Sequence, residues 1–377
     1  MNGFSVIRLW AVVKKEFIQI RRDRLTFAML VGVPLMQLML FGYAINGDPK
    51  HLPTVVVAHE QSPFARSVVQ ALINTGYFDV TSTSTSDRTA DELLARGEAQ
   101  FVLTIPPDFS RKVLRGERSQ LLIEADASDP AATGNAIAAI QQIAGSLLRN
   151  DLTGTLAGLN GPEAPVDLVI HRRYNPEGLS QYNVVPGLMG VILTMTMIMS
   201  TALGLTREVE RGTMENLLAT PVRPLEVMIG KIVPYILMGL ASTLLILIAA
   251  RWLFDVPFVG GLGLLAVVVL VFIAANLVVG ITISSVARNQ MQALQMTFFF
   301  FLPSMLLSGF MFPFRGMPRW AQMIGEVLPL THFMRISRGV MLKGNGLNEV
   351  WSNFWPLLLF MLIVMGIGLK RFRRTLD

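Results

Sequence analysis

Six stretches of this chain stay apolar for close to, or beyond, the ~20 residues a helix needs to cross a bilayer. They run from Leu25 to Ile45, Val184 to Leu205, Gly230 to Ala250, Leu262 to Ser285, Gln292 to Phe312 and Asn353 to Leu369. A length of 377 residues would by itself suggest two or three soluble domains. The apolar stretches override that, and the mean hydropathy of +0.51 agrees with them. The expected fold is a polytopic α-helical membrane protein with six transmembrane helices. The formal charge of +6 is then read as basic residues held on the cytosolic side rather than as a nucleic-acid surface. With no cysteine in the chain, disulfides and thiolate metal sites are excluded.

The segment before the first span is amphipathic. Val6, Leu9, Trp10, Val13, Phe17 and Ile20 recur at helical spacing, with Lys14, Lys15, Glu16, Arg21, Arg22 and Asp23 among them. Such a helix (residues 1–24) is expected to lie in the membrane interface with its cations toward anionic headgroups. The run from Leu25 to Ile45 is too long for a signal-peptide core, and no small-x-small site follows it, so it reads as an uncleaved first span. Pro34 falls within it, at a kink position.

Residues 46–183 turn polar and alternate short β-like runs with helical ones. Strands are expected at Thr54 to Ala58, Phe78 to Ser82, Phe101 to Ile105, Leu121 to Ala125 and Val166 to His171. Helices are expected at Ser62 to Thr75, Asp87 to Gly97, Pro107 to Arg115 and Pro130 to Leu156. Ser62-Pro63 and Asp129-Pro130 each place a capping side chain before a helix-opening proline. The alternation argues for an α/β domain inserted between spans 1 and 2. Residues 184–377 then carry spans 2 to 6, with a charged loop at 206–229 and a segment at 313–345 that holds Trp320 to Leu330. That short apolar piece is too brief to cross, and Pro329 interrupts it. A re-entrant or interfacial helix and an ordinary surface loop both fit.

Basic residues choose the orientation. Fifteen Lys and Arg lie in the N-terminal segment, the loops after spans 2 and 4 and the tail, against six in the short loops of the other face. The positive-inside rule then puts both termini in the cytosol and the α/β domain outside it.

No Asp, Glu, Lys, Arg or His falls in the middle of a span. Proton relays and voltage sensors need such residues at depth, so the driving energy is expected from outside the membrane plane. The polar residues at depth, among them Thr194, Thr196, Ser242, Thr243, Asn276, Thr282, Gln295 and Ser304, are expected to hydrogen-bond between helices. The chain has no G-x-x-x-x-G-K-[ST], H-E-x-x-H or G-x-S-x-G pattern, and His51, His59, His171 and His332 are scattered. No catalytic site and no metal site is expected, and no cofactor on this chain.

The densest charge cluster is Arg207-Glu208-Val209-Glu210-Arg211-Gly212-Thr213-Met214-Glu215, just after span 2. Arg211 and Glu215 stand four apart, and Thr213 can cap a short helix with Glu215 near its positive end. Thr220-Pro221 and Arg223-Pro224 then punctuate the chain. A rigid charged element that docks on a motor protein and a solvated loop both fit this pattern.

The stretch R-E-V-E-R-G-T-M-E-N-L from Arg207 to Leu217, continuing Leu218-Ala219-Thr220-Pro221-Val222-Arg223, resembles the signature of ABC-2 type transporter permeases. Lys15-Glu16 with Arg21-Arg22-Asp23, Arg173-Tyr174-Asn175-Pro176 before span 2, and Leu307-Ser308-Gly309-Phe310 late in span 5 are similar to the family as well. The likeness covers essentially the whole chain, and its drug-efflux inner-membrane subfamily fits best. The resemblance implies an exporter permease that binds no ATP itself and pairs with an ABC ATPase subunit carrying ATP and Mg. It also implies a dimer with a second copy or a sister permease, and a periplasmic membrane-fusion adaptor on the outer domain, in a bacterial inner membrane. It places ATPase contact at Arg207, Glu208, Glu210, Arg211, Gly212, Thr213, Met214, Glu215 and Asn216. Two alternatives stay open: an ATP-driven sodium or ion extruder, and a membrane-anchored extracytoplasmic ligand-binding scaffold.

Overall fold

A computed structural model of the chain describes residues 47–159, 164–210 and 224–374. The interfacial helix expected at 1–24 and the span expected at 25–45 lie outside these residues.

The polar region folds around a five-stranded sheet. Strands β1 (Leu52–Ala58), β2 (Phe78–Ser84), β3 (Phe101–Ile105), β4 (Ser119–Asp126) and β5 (Val166–Arg173) are ordered β2-β1-β3-β4-β5. All pairs are parallel except β3 with β4. Each strand coincides with, or extends by a few residues, a run legible in the sequence. Parallel neighbours need a crossover, and α1 (Pro63–Asn74) supplies it between β1 and β2. The α2 helix (Asp87–Arg96) connects β2 to β3, and α3 (Phe109–Leu114) connects β3 to β4. Period-two alternation splits the strand side chains between two faces. Leu52, Val56, Leu103 and Ile105 pack with Val68, Leu72, Phe109 and Ile140 on one face. Val55, Val57 and Val102 pack with Ala90 and Leu94 of α2 on the other.

Local signals act where the sequence places them, with two exceptions. Ser62 accepts a hydrogen bond from the Ala65 N–H at 3.1 Å and opens α1 ahead of Pro63. The helix expected from Pro130 to Leu156 is shorter: α4 spans Pro130–Ala144, and a 3₁₀ turn at Gly154–Leu159 follows. Gly145 closes α4, and glycine lacks the side chain that would favour continuing a helix. Asp129 precedes Pro130 as expected, yet its carboxylate makes no capping bond. It points to the bundle instead.

The bundle comprises α5 (Ser180–Glu210), α6 (Pro224–Trp252), α7 (Leu262–Ser284), α8 (Gln290–Leu307) and α11 (Leu347–Arg374). Among the described residues, four segments are long and apolar enough to cross a membrane: Ser180–Glu210, Val233–Trp252, Leu262–Ser284 and Leu347–Gly368. The stretch expected as span 5 forms α8, whose 18 residues reach about 27 Å, at the lower limit of a hydrocarbon core. The segment between α8 and α11 is a folded element. Two short helices, α9 (Arg319–Gly325) and α10 (Pro329–Arg338), lead into a π turn at Gly339–Lys343. Leu330, Phe333, Met334 and Ile336 of α10 are buried in the bundle core, where Phe333 stacks on Phe272 of α7 at 4.1 Å. Within Trp320 to Leu330, Met323, Ile324 and Val327 are exposed, whereas Ala321 and Leu330 are buried.

The polar residues within the spans behave differently from the sequence expectation. Thr194, Thr196, Thr243, Asn276, Thr282 and Ser304 each bond back to the carbonyl four residues earlier, at 2.6–2.9 Å. Short side chains reach their own preceding turn more readily than a neighbouring helix. Dispersion and close approach therefore dominate the helix contacts. At Gly280 of α7 a Cβ would stand 2.8 Å from the Ile198 carbonyl of α5, so only glycine allows that contact.

Candidate functional site

Helix α5 is one unbroken element of 31 residues, about 46 Å long. Its two ends are built differently. The end nearest the α/β domain begins at the elbow Arg173-Tyr174-Asn175-Pro176. Asn175 is fully buried, and its side chain clamps Leu179 twice. Oδ1 accepts from the Leu179 N–H at 2.9 Å, and Nδ2 donates to the Leu179 carbonyl at 2.9 Å. Tyr174 sits at φ +69°, a left-handed conformation that costs a non-glycine residue about 1–2 kcal/mol. Burial pushes its hydroxyl up to about 12, so the ring stays neutral, and the Lys343 ammonium lies 5.1 Å from its centroid.

Around this elbow the domain is latched to the bundle. Lys343 Nζ lies 2.5 Å from Asp126 Oδ2 and donates to the Leu94 carbonyl at 3.2 Å. The Lys343 and Asp126 side chains are only 7% and 8% exposed. Arg338 stands 3.7 Å from Asp129 and donates to the Gly309 carbonyl at 3.2 Å. Asn183 of α5 donates to Asp129 Oδ1 at 3.1 Å, and Asn345 donates to the Ala95 carbonyl at 2.9 Å. Burial raises the Asp129 pKa, with the Arg338 charge opposing it. The motif Leu307-Ser308-Gly309-Phe310 also finds its reason here. Gly309, at φ +83°, ends α8 in a left-handed turn and presents its carbonyl to Arg338.

The far end of α5 carries Arg207, Glu208, Val209 and Glu210. Glu210 reaches the first turn of α8, where it accepts from the Gln290 N–H at 2.9 Å and from Gln290 Nε2 at 2.5 Å. A carboxylate at a helix N-terminus satisfies an unpaired donor and meets the positive end of the dipole. Asn289 and Gln292 complete a reciprocal cap on α8. Asn289 Oδ1 accepts from the Gln292 N–H at 2.8 Å, and Gln292 Oε1 accepts from the Arg288 N–H at 2.9 Å. Glu210 thereby ties the end of α5 to the first turn of α8.

Of the expected contact residues, Arg207, Glu208 and Glu210 are thus placed on α5. Arg211, Gly212, Thr213, Met214, Glu215 and Asn216 lie outside the described residues, as do Lys14, Lys15, Glu16, Arg21, Arg22 and Asp23. Sequence reasoning missed Gln290 and the four latch residues Asp126, Asp129, Arg338 and Lys343. The latch partners are more than 200 residues apart, and Arg338 and Lys343 had counted only as charges on the less basic face. A cap signal at Asn289, with Gln three residues later, was the one local hint to the α8 contact.

Residues 24–370 match the family described as "ABC-2 family transporter protein". The chain belongs to the ABC-2 transporter family. Membership makes it a membrane protein of an ABC transporter and implies an ABC ATPase partner. The chain is 28% identical over 367 residues to the probable multidrug ABC transporter permease YbhR of Escherichia coli, covering 97% of this chain and 98% of that one. It is also 28% identical to the inner membrane transport permease YhhJ of the same organism, covering 93% and 95%. ABC transporter G family member 20 of Dictyostelium discoideum is 28% identical over 96% of this chain but only 50% of its own length. No solved structure matches.

Proposed function

We propose that this ABC-2 family member is the permease subunit of an exporter that moves an amphiphilic or drug-like substrate out of the cytoplasm or inner leaflet. A separate ATPase subunit, carrying ATP and Mg, drives it by docking on Arg207 to Asn216. The observation that carries the proposal is α5: one rigid helix joins the charged docking end to the latched α/β domain. Closure of the ATPases pushes on the charged end, Glu210 passes part of the load to α8, and α5 delivers it to the elbow at Asn175. Helices held by dispersion, with their hydroxyls bonded internally, rearrange without breaking interhelical hydrogen bonds. The working unit is a dimer with a second copy or a sister permease, in a bacterial inner membrane with both termini cytosolic. The α/β domain then faces the periplasm and offers its surface to a membrane-fusion adaptor.

The relatives' printed names, which call YbhR a probable multidrug permease, support the substrate class. Reversing Glu215→Lys tests the coupling. The variant is expected to insert and co-purify as a permease yet to lose substrate-stimulated ATPase activity in the reconstituted complex. Stimulation at the wild-type level would overturn the docking assignment.

A further inference from the structure

The charged end of α5 exposes more than charge. Leu205 is the last apolar residue of its span, and Thr206, Arg207 and Glu208 follow. At about 46 Å, α5 outreaches a hydrocarbon core of ~30 Å, and ionised side chains are costly inside one. The last turn of α5 therefore stands beyond the core. Val209 lies in that turn and is 51% exposed. Glu210 accepts from the Gln290 N–H at 2.9 Å, which brings the first turn of α8 to the same level. Met291 follows there and is 63% exposed. Arg288, just before that turn, is exposed, as is Arg207. The Arg288 N–H is taken by Gln292, but among the described residues no carboxylate meets its guanidinium.

The surroundings say what kind of partner fits. Donors in the first turn of α8 are already spent on Glu210 and on the cap from Asn289, so this end is not built to hold a free anion. Acyl chains do not reach it, because Val209 sits among charges outside the core. Two apolar side chains from two helices, flanked by two arginines, have the make-up of a protein contact, where Met and Arg are enriched. Glu210, by contrast, is bonded twice to Gln290. Family membership supplies the partner, an ABC ATPase.

We infer that the α7–α8 turn forms a second half of the ATPase dock. Met291 and Arg288 touch the ATPase beside Val209 and Arg207, on an apolar pocket rimmed by acidic groups. Glu210 is a positioning residue that holds the two halves in register. The inference rests on the exporter reading and deepens it, adding a contact from outside the stretch Arg207 to Asn216. One docking point would let the bundle pivot on the ATPase, whereas two points on different helices fix its orientation.

The chain has no cysteine, so a single introduced one carries a benzophenone maleimide label before assembly with the ATPase. In the co-eluting complex, light should join Met291→Cys and Val209→Cys to the ATPase. Met323→Cys, 73% exposed on α9 at the other end of the bundle, should not be joined. Glu210→Ala should lower the Met291→Cys yield about three- to tenfold and leave Val209→Cys unchanged, a split that general misfolding does not give. Arg288→Glu should slow assembly about tenfold at low salt, with the difference shrinking as salt is raised. Label from Met291→Cys found only on lipid, or on the ATPase no more than from Met323→Cys, would overturn the second half of the dock. Assembly of Arg288→Glu at the wild-type rate would overturn its charge contact, and equal yields from both positions in Glu210→Ala would overturn the positioning role. Loss of the Met291→Cys product with Val209→Cys retained leaves the exporter reading standing. Wild-type stimulation in Glu215→Lys strikes the earlier docking assignment alone, and failure of any ATPase to co-elute overturns both.

Discussion

The latch between domain and bundle makes a quantitative prediction at Lys343. Replacing it by methionine keeps an apolar stem of similar length and removes the ammonium. The Asp126 carboxylate, 8% exposed, then loses the partner 2.5 Å away and keeps only the Ser128 N–H at 3.1 Å. Breaking one side of a buried ion pair costs about 3–5 kcal/mol, because the remaining charge is left desolvated. At about 1.4 kcal/mol per factor of ten, opening of the seam becomes roughly two to three and a half orders of magnitude more frequent. Hydrogen exchange on the detergent-solubilised protein reads this directly at two seam amides. Asn345 N–H is held by the Gly339 carbonyl at 3.0 Å and Asp126 N–H by the Gln100 carbonyl at 2.9 Å. Lys343→Met should accelerate exchange at both by that factor and leave the β1–β3 ladder amides unchanged. The double variant Asp126→Asn/Lys343→Met removes both charges and should recover most of the protection. Exchange within threefold of wild type in the single variant, or a double variant as exposed as the single, would refute the buried-pair reasoning.

Three further outcomes follow from the same geometry. Asn175→Ala removes both clamps on Leu179 at a fully buried position and should destabilise the elbow by about 1–3 kcal/mol, seen as a lower midpoint in thermal unfolding. Gly280→Ala forces a Cβ to 2.8 Å from the Ile198 carbonyl and should cost about 1–3 kcal/mol in the same assay, whereas Gly263→Ala, with open space around it, should not. The raised pKa of Asp129 means the folded protein takes up this proton before the unfolded chain does. Its contribution is present below the ordinary carboxylate value of 3.8 and is lost as pH rises through the folded value. Asp129→Asn should therefore lack the part of the wild-type stability gain that appears on acidification, measured as the difference in thermal midpoints from neutral pH downward.

Much of the architecture was legible before any coordinates. The apolar lengths of Val184 to Leu205 and Leu262 to Ser285 require helices whatever their neighbours do, since lipid leaves no other way to satisfy a backbone. The five strands were readable because each alternates, or stays apolar, over five to eight residues between turn signals. Ser62-Pro63 opened its helix because the cap bond spans only three residues. The charged end of α5 and its family signature were equally local. These features share one property: the atoms that decide them lie within a few turns of one another along the chain.

What the tertiary structure alone decided lies across long separations. Asp129 has the same local context as Ser62, yet its carboxylate makes no capping bond that matches Ser62's and meets Asn183 and Arg338, which the fold brings beside it. The span hydroxyls could have bonded to a neighbouring helix or to their own, and packing chose the latter. Arg335, Arg338 and Lys343 looked like stray charges on the less basic face, but the fold pairs them with Glu326, Asp129 and Asp126. Periodicity reports which way a side chain faces, whereas the partner of a buried charge is set by which distant segments pack together, and no one-dimensional pattern records that.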